Sequence, residues 1–160
     1  MFTRIWVLWL IFVLTLLTGL SFSFISVHWD FQFLDTMTTR TELDEALSGY
    51  SDLQKEVHII SVWTLDLIYP VLNTLLLSGI TRRAFGGVWP WIGLPSIAYF
   101  IFDISENISS TLLLFALDKH LSLHTVLTLG KFGFYLLAFI IAVSGIIFMM
   151  LRRLRAKSAV

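Results

Sequence analysis

Four long apolar runs constrain this chain more than any other feature of its sequence. They cover about residues 5–27, 59–80, 91–117 and 121–151, and each meets or exceeds the roughly 20 residues that a helix needs to cross a bilayer. Only 14% of the residues are charged and the mean hydropathy is +0.84, whereas soluble domains are about 25% charged. We therefore predict an all-α, multi-pass membrane protein, in which residues 1–160 form a single domain folded as a four-helix transmembrane bundle.

The outer segment, about residues 28–57, is the longest stretch between two apolar runs. It contains two capping-box patterns, in which Ser or Thr is followed three residues later by Glu or Gln. The pattern at Thr39 and Glu42 predicts a short helix on the outer membrane surface, preceded by a polar loop and ending near Gly49. The pattern at Ser51 and Gln54 predicts the start of the second spanning helix.

Basic residues flank the apolar runs on one side only, if the helices alternate in direction. The clusters are Arg4, Arg82 with Arg83, and the group from Arg152 to Lys157. Because cytoplasmic loops carry the excess of Lys and Arg, we expect both termini to be cytoplasmic. A formal net charge of zero argues against nucleic-acid binding, and the absence of cysteine excludes disulfides and thiolate metal sites.

The third run is apolar enough to span a membrane, yet it carries ionisable side chains. Helical spacing places Tyr99, Asp103, Glu106, Asn107 and Ser110 on one face. An ionised side chain near the bilayer centre costs roughly 2.5–3.5 kcal/mol on insertion scales. We therefore expect this face to point into the protein.

The second and fourth runs have polar faces of the same kind. Helical spacing aligns Asp66, Tyr69, Pro70 and Asn73 in the second run, and His124, Thr128, Lys131 and Tyr135 in the fourth. Pro70 cannot donate to the carbonyl of Asp66, so that carbonyl needs another donor, a water or a ligand. At 1.5 Å per residue, the four charged side chains of the three runs lie roughly 12–21 Å from the outer helix ends. We therefore expect them to share one layer.

We predict that these faces form one intramembrane site. Asp66 and Glu106 are the candidate catalytic pair, acting as general acid and base. The candidate ligand-binding residues are Asp103, Asn107, Lys131, Tyr69, Asn73, Tyr99 and Tyr135. The alternative is a structural ion-pair network that fixes the register of the helices.

Four histidines, His28, His58, His120 and His124, are expected near the outer boundary of the membrane. His120 and His124 have the i, i+4 spacing of helical metal ligands. No motif identifies a third ligand, which favours interfacial or pH-responsive histidines over a metal centre. We therefore predict neither a metal ion nor another cofactor.

Two motifs resemble those of a known group of proteins. Segments 66–70 (DLIYP) and 103–107 (DISEN) resemble the paired D-x-x-[YF]-P and D-x-x-E-N motifs of small uncharacterised bacterial four-span membrane proteins. This resemblance implies a protein of the bacterial inner membrane and assigns no reaction. In outline the chain also resembles the EXPERA group, which includes the emopamil-binding sterol isomerase. That resemblance implies an intramembrane pocket for sterol-like cations or lipids, with Asp66 and Glu106 as acid or counter-ion.

Three functions remain as hypotheses. In the first, the bundle binds a hydrophobic or cationic lipid-like ligand from among the membrane lipids, and whether it is also an enzyme is left open. In the second, it is a non-catalytic accessory subunit, whose homo-oligomeric or membrane-complex partner packs on the small residues Ala138, Ala142 and Gly145. In the third, it is a small proton-coupled transporter, although the sequence has no inverted repeat.

Overall fold

A computed structural model of the chain describes residues 4–86, 89–115 and 121–158. Every regular element within these ranges is helical. The elements are α1 (Ile5–Trp29), a short 3-10 helix (Leu34–Thr36), α2 (Arg40–Gly49), α3 (Asp52–Phe85), α4 (Trp89–Ile92), α5 (Leu94–Leu114) and α6 (Leu121–Ser158). Helices α1, α3, α5 and α6 are long and apolar enough to cross a membrane. The chain is therefore an all-α, multi-pass membrane protein, as predicted.

The four spanning helices do not contribute equally to the bundle. Helices α3, α5 and α6 pack pairwise against one another, whereas α1 packs mainly along α3. The buried residues of α1 are Val7, Leu8, Ile11 and Thr15, and most of its other large apolar side chains are exposed. The four-helix bundle is therefore present as predicted, and it consists of a three-helix core, formed by α3, α5 and α6, with α1 packed on the outside of α3.

Both predicted capping boxes are present in the structure. The Thr39 hydroxyl accepts a hydrogen bond from the Glu42 N–H at 3.3 Å, and the Glu42 carboxylate accepts one from the Thr39 N–H at 3.0 Å. Ser51 and Gln54 make the same reciprocal pair at 3.3 and 2.9 Å. These contacts satisfy backbone N–H groups that have no partner within the helix. They confirm that α2 begins after Thr39 and that α3 begins well before its apolar run.

The polar loop predicted before α2 is instead an apolar plug. We use the name outer plug for residues 31–37, whose Phe31, Phe33, Leu34 and Met37 are buried. Leu34 and Met37, together with Leu43 of α2, cover the outer ends of α5 and α6 at Leu113, Leu114 and Leu121. Burial removes this apolar surface from water, which stabilises the contact by about 25 cal/mol per Å².

The inner half of α6 packs closely on α3 through small side chains. Ala138 and Ala142 are buried with Leu77 in one cluster. A Cβ atom added to Gly145 would lie only 2.8 Å from the Cβ of Ala84. The small-residue stripe of the fourth span is therefore occupied by α3 of the same chain. The expectation of a homo-oligomeric or membrane-complex partner stays a prediction.

Candidate functional site

Lys131 of α6 lies at the centre of a buried group of carboxylates. Its ammonium contacts Glu106 Oε2 and lies 3.6 Å from Asp103 Oδ1, both from α5, and 3.5 Å from Asp35 Oδ2 of the outer plug. Lys131 is 5% exposed and Glu106 is completely buried. We call Asp35, Asp66, Asp103, Glu106 and Lys131 the carboxylate cluster.

Helical spacing explains why α5 presents two carboxylates to one lysine. Asp103 and Glu106 are three residues apart and therefore lie on one face of α5. The second oxygen of Glu106 accepts a hydrogen bond from the Thr128 hydroxyl, one turn before Lys131 on α6. It also lies 4.0 Å from Nε2 of His124, one turn further along. Glu106 is thus held by three successive turns of α6.

Asp66 joins the cluster from α3 but has a different environment. Its side chain is buried and interacts electrostatically with Asp103, Asp35 and Lys131, yet it is not among the carboxylates paired with Lys131 in the described residues. Its carbonyl, left without an intrahelical partner by Pro70, accepts a hydrogen bond from Asn107 Nδ2 at 3.2 Å. The donor expected from the sequence is therefore Asn107, which ties α3 to α5.

The other predicted ligand-binding residues separate into two groups. The rings of Tyr99 and Tyr135 lie 5.3 Å apart. Tyr99 is buried, whereas Tyr69 and Tyr135 are half-buried. Asn73 is buried too, but its side chain donates to the Tyr69 carbonyl within α3 at 3.2 Å. The tyrosines therefore adjoin the cluster, and the Asn73 amide is used by its own helix.

Asp35 is the main site residue that sequence reasoning missed. It lies in the three-residue 3-10 helix of the outer plug, which is too short to show a periodicity from which a facing residue can be inferred. The available signal was the apolar sequence around it, because Phe33, Leu34 and Met37 are unusual in a solvated loop. The Leu34 carbonyl accepts a hydrogen bond from His124 Nε2 at 3.3 Å, so the plug backbone is also tied to α6.

The outer plug has an aromatic rim. His58 of α3 is buried against Phe31 and Phe33, with ring centroids 5.8 and 5.2 Å away. The Tyr50 hydroxyl donates to the Gln32 carbonyl. Burial, with a smaller effect from the charge of Asp35, raises the pKa of Tyr50 above its ordinary value. Tyr50 therefore remains a neutral hydrogen-bond donor at physiological pH.

Several polar atoms in and beside the cluster are buried without a hydrogen-bond partner among the residues that the structure describes. They are Asp35 Oδ1, Asp103 Oδ2, Asn107 Oδ1, the hydroxyls of Ser109 and Ser110, and Nδ1 of His58 and His124. Buried polar groups in folded proteins are normally paired, and each exception calls for an explanation such as a water, an ion or a functional role. The two carboxylate oxygens and the amide oxygen accept hydrogen bonds only. The arrangement therefore suits a ligand that carries donors or positive charge.

The histidines that the structure describes lie in different environments. His28 is exposed and stacks on Phe24 with ring centroids 5.7 Å apart, whereas His58 and His124 are buried. His120 lies outside the described residues. Within the ranges that the structure describes, no three His, Asp or Glu side chains are arranged to hold a metal ion.

No protein-family model matches the chain, and neither a curated protein nor a solved structure is significantly similar to it. The resemblances of segments 66–70 and 103–107 to bacterial four-span proteins and to the EXPERA group therefore stay predictions. The structure supports a multi-pass membrane protein with buried charged residues. Any functional assignment therefore has to follow from the geometry of the carboxylate cluster.

Proposed function

We propose that this protein binds a hydrophobic cation or a lipid-like molecule with a cationic group, at the carboxylate cluster. The observation that carries the proposal is the imbalance of charge there. Three carboxylates contact a single ammonium, a fourth carboxyl, that of Asp66, belongs to the same cluster, and the spanning helices bury Asp66, Asp103 and Glu106 almost completely. Ionisable groups inside a membrane are rarely retained without a partner or a function.

The geometry supports a division of the site into a charged part and an apolar part. The ligand's cationic group would lie beside Asp66 and the unpartnered oxygen of Asp103, where a carboxylate without a counter-charge is costly in a low-dielectric interior. Its apolar part would lie along Tyr69, Tyr99 and Tyr135. Small-molecule sites typically combine mostly apolar walls with a few convergent polar groups of this kind.

Asp66 and Glu106 would then have different roles. Glu106 is fixed by Lys131 and by the Thr128 hydroxyl, which suits a counter-ion. Asp66 is not paired with Lys131 in the described residues, which suits a group that exchanges a proton with the ligand. Acid–base chemistry on the ligand is an extension of the proposal, and it would depend on this pair.

The proposed location is the bacterial inner membrane, with both termini in the cytoplasm. The basic clusters at the inner helix ends support this orientation through the positive-inside rule. The outer plug would then face away from the cytoplasm. The Asp35 side chain, which is 25% exposed, would give the ligand access from that side.

Native mass spectrometry of gently extracted protein tests the proposal. We expect wild type to carry a stoichiometric lipidic mass that is lost in both Asp66→Asn and Glu106→Gln. The matched control is Asp44→Asn, because Asp44 is an exposed carboxylate of α2. Retention of the mass in both cluster variants, or its equal loss in the control, would contradict the proposal.

A defined probe makes the test independent of the natural ligand. Dodecyltrimethylammonium, added below its micellar concentration, should raise the thermal midpoint of the solubilised protein more than a zwitterionic amphiphile with the same tail. Ligands that bind only the folded state stabilise it by mass action. The difference between the two probes should disappear in Glu106→Gln and persist in Asp44→Asn. Equal midpoints for both probes in wild type would count against a cation site.

Proton-coupled transport is a second candidate, favoured by the continuity of carboxyls from the partly exposed Asp35 to Asp66. Transport would require the spanning helices to move apart in the inner half, because that half is packed tightly by Ala138, Ala142 and Gly145. It predicts acid-stimulated flux into vesicles that is lost in Lys131→Ala. The accessory-subunit hypothesis would need a surface other than that stripe.

A further inference from the structure

A second charged region lies at the opposite end of the bundle from the outer plug. Arg83 of α3 and Arg152 and Arg153 of α6 line a pocket of about 430 Å³ together with Met149 and Ala156. All three arginines are exposed to the surroundings. Two helices therefore direct guanidinium groups into one recess of the size that binds small molecules.

The stretches of sequence that contain these arginines carry an excess of positive charge. Residues 1–29, 67–102 and 132–160 contain no Asp or Glu. The same stretches contain seven basic residues, which are Arg4, Arg82, Arg83, Arg152, Arg153, Arg155 and Lys157. This excess favours an anionic ligand at the pocket.

The depth of the pocket matches the level of lipid headgroups. Arg83 lies roughly 25 Å along α3 from Asp66 at 1.5 Å per residue. Helix α6 has 38 residues, and at the same rise it exceeds the roughly 30 Å hydrocarbon thickness, so its last turns reach beyond the hydrocarbon. Arginine forms paired hydrogen bonds with phosphate through its planar guanidinium group.

We propose that this pocket binds the phosphate group of an anionic phospholipid. Basic pockets between spanning helices at the cytoplasmic side bind such headgroups. A soluble phosphate ester has the same phosphate, but it has no acyl chain to lie along the exposed Phe148, Leu151 and Leu154 of α6. The lipid is therefore the better occupant. This site is separate from the carboxylate cluster, and neither proposal depends on the other.

Lipid titration by native mass spectrometry tests this site. Delipidated protein receives phosphatidylglycerol or phosphatidylcholine with identical acyl chains. We expect a preference of about tenfold or more for phosphatidylglycerol, and its loss in the double variant Arg152→Gln, Arg153→Gln. The matched control is Arg4→Gln, because Arg4 lies in the same basic set but does not line the pocket. Absence of the preference in wild type, or equal loss in Arg4→Gln, would overturn the proposal.

Two further arms separate the sources of phosphate and guard against misfolding. Inorganic phosphate and glycerol phosphate should not displace phosphatidylglycerol at equal concentration, and displacement would identify a soluble ligand instead. Helix content by circular dichroism should match wild type in the double variant. If it does not, Arg152→Lys keeps the charge but loses the paired hydrogen bonds, and we expect it to weaken phosphatidylglycerol binding several-fold. Unchanged binding in Arg152→Lys would contradict paired recognition of the phosphate.

Discussion

The outer and inner halves of the three-helix core are held together by different interactions. In the outer half, Lys131 and Glu106 join α6 to α5, and Asn107 joins α5 to α3. In the inner half, α6 meets α3 through small side chains around Ala142 and Gly145. The contact of α6 with α5 is therefore positioned by directional polar groups and its contact with α3 by shape, while Thr74 and Ser78 of α3 hydrogen-bond Ser96 of α5 in the inner half.

This difference between polar contacts and close packing distinguishes residues that could have a chemical role from residues whose role is packing alone. Close packing of small residues gives stability at little risk, because no polar group has to be satisfied. A buried ion-pair network contributes little net stability over apolar packing of the same volume, while the loss of one partner is costly. The outer half thus keeps a fragile arrangement that the inner half avoids, which is the pattern expected of a site retained for its function.

Removal of Lys131 should cause the largest loss of stability, because it disrupts the contacts that hold the outer half together. Lys131→Met leaves Asp103 and Glu106 buried without a base, which destabilises a protein by about 3–5 kcal/mol. The thermal midpoint of the solubilised protein measures the loss. Lys55→Met is the control, since its pairing with the fully exposed Asp52 at 3.9 Å contributes little. Equal midpoints for the two variants would show that Lys131 does not hold the outer half together.

A methyl group should disturb the inner half at one glycine and not at another. Gly145→Ala places a Cβ against Ala84, and such overpacking costs about 2 kcal/mol. Gly133→Ala meets nothing within 4 Å, and alanine is the better helix former, so this variant should be neutral or more stable. Chemical unfolding of both variants tests the contrast. A stable Gly145→Ala would mean that α3 and α6 are not held by close approach.

The hydrogen bond from Asn107 to the Asp66 carbonyl should stabilise the protein only because Pro70 leaves that carbonyl without an intrahelical donor. Asn107→Ala removes the donor to the Asp66 carbonyl and should cost about 1.5 kcal/mol. In a Pro70→Ala background the new N–H can satisfy that carbonyl, so the same substitution should cost less. A double-mutant cycle of unfolding free energies measures the coupling. Simple additivity would argue that the two residues act independently.

Loss of Asp35 should loosen the outer plug without unfolding the helices. Asp35→Asn weakens one contact of Lys131 by about 1 kcal/mol, which corresponds to roughly fivefold more opening. Because the chain contains no cysteine, Ser110→Cys provides a single buried label whose reaction with maleimide reports that opening. Asp44→Asn should leave the labelling rate unchanged. A rate equal to that of the parent in Asp35→Asn would show that the plug closes without this contact.

Acidification should have the smallest effect, confined to the start of α2. The hydrogen bond from Thr39 lowers the pKa of Glu42 below its ordinary value of 4.5. The folded state favours the carboxylate, so this stabilisation is present above about pH 4.5 and is lost as the pH falls through the lower folded pKa. Amide exchange at the start of α2 should therefore quicken on acidification relative to the intrinsic exchange rate. Glu42→Gln should remove that pH dependence, and its persistence in the variant would assign it to another group.

Sequence periodicity predicted the features that depend on one helix at a time. The spanning helices, the capping boxes at Thr39 and Ser51, and the polar faces of α3, α5 and α6 all follow from local spacing. Helical spacing also identified the carbonyl of Asp66 that Pro70 leaves without an intrahelical donor.

Contacts between separate elements could not be predicted from sequence periodicity. Asp35 reaches Lys131 from the outer plug, 96 residues earlier in the sequence, and no periodic pattern predicts such a contact. The peripheral position of α1 depends on how the apolar surfaces of all four helices match. The small residues of α6 predicted a close contact correctly in kind, but their spacing does not say whether the neighbour is α3 or another chain.

Because Lys131 lies in the last spanning helix, the carboxylate cluster can be completed only late in the synthesis of the chain. Helices α3 and α5 emerge from the ribosome with Asp66, Asp103 and Glu106, and the lysine that faces Asp103 and Glu106 arrives only with α6. Until then the nascent chain carries intramembrane acids without their base, so its earlier helices are better kept beside the insertion machinery than released into lipid. A chain truncated before α6 is consequently recognisable to quality control as incomplete, from the absence of one buried amine.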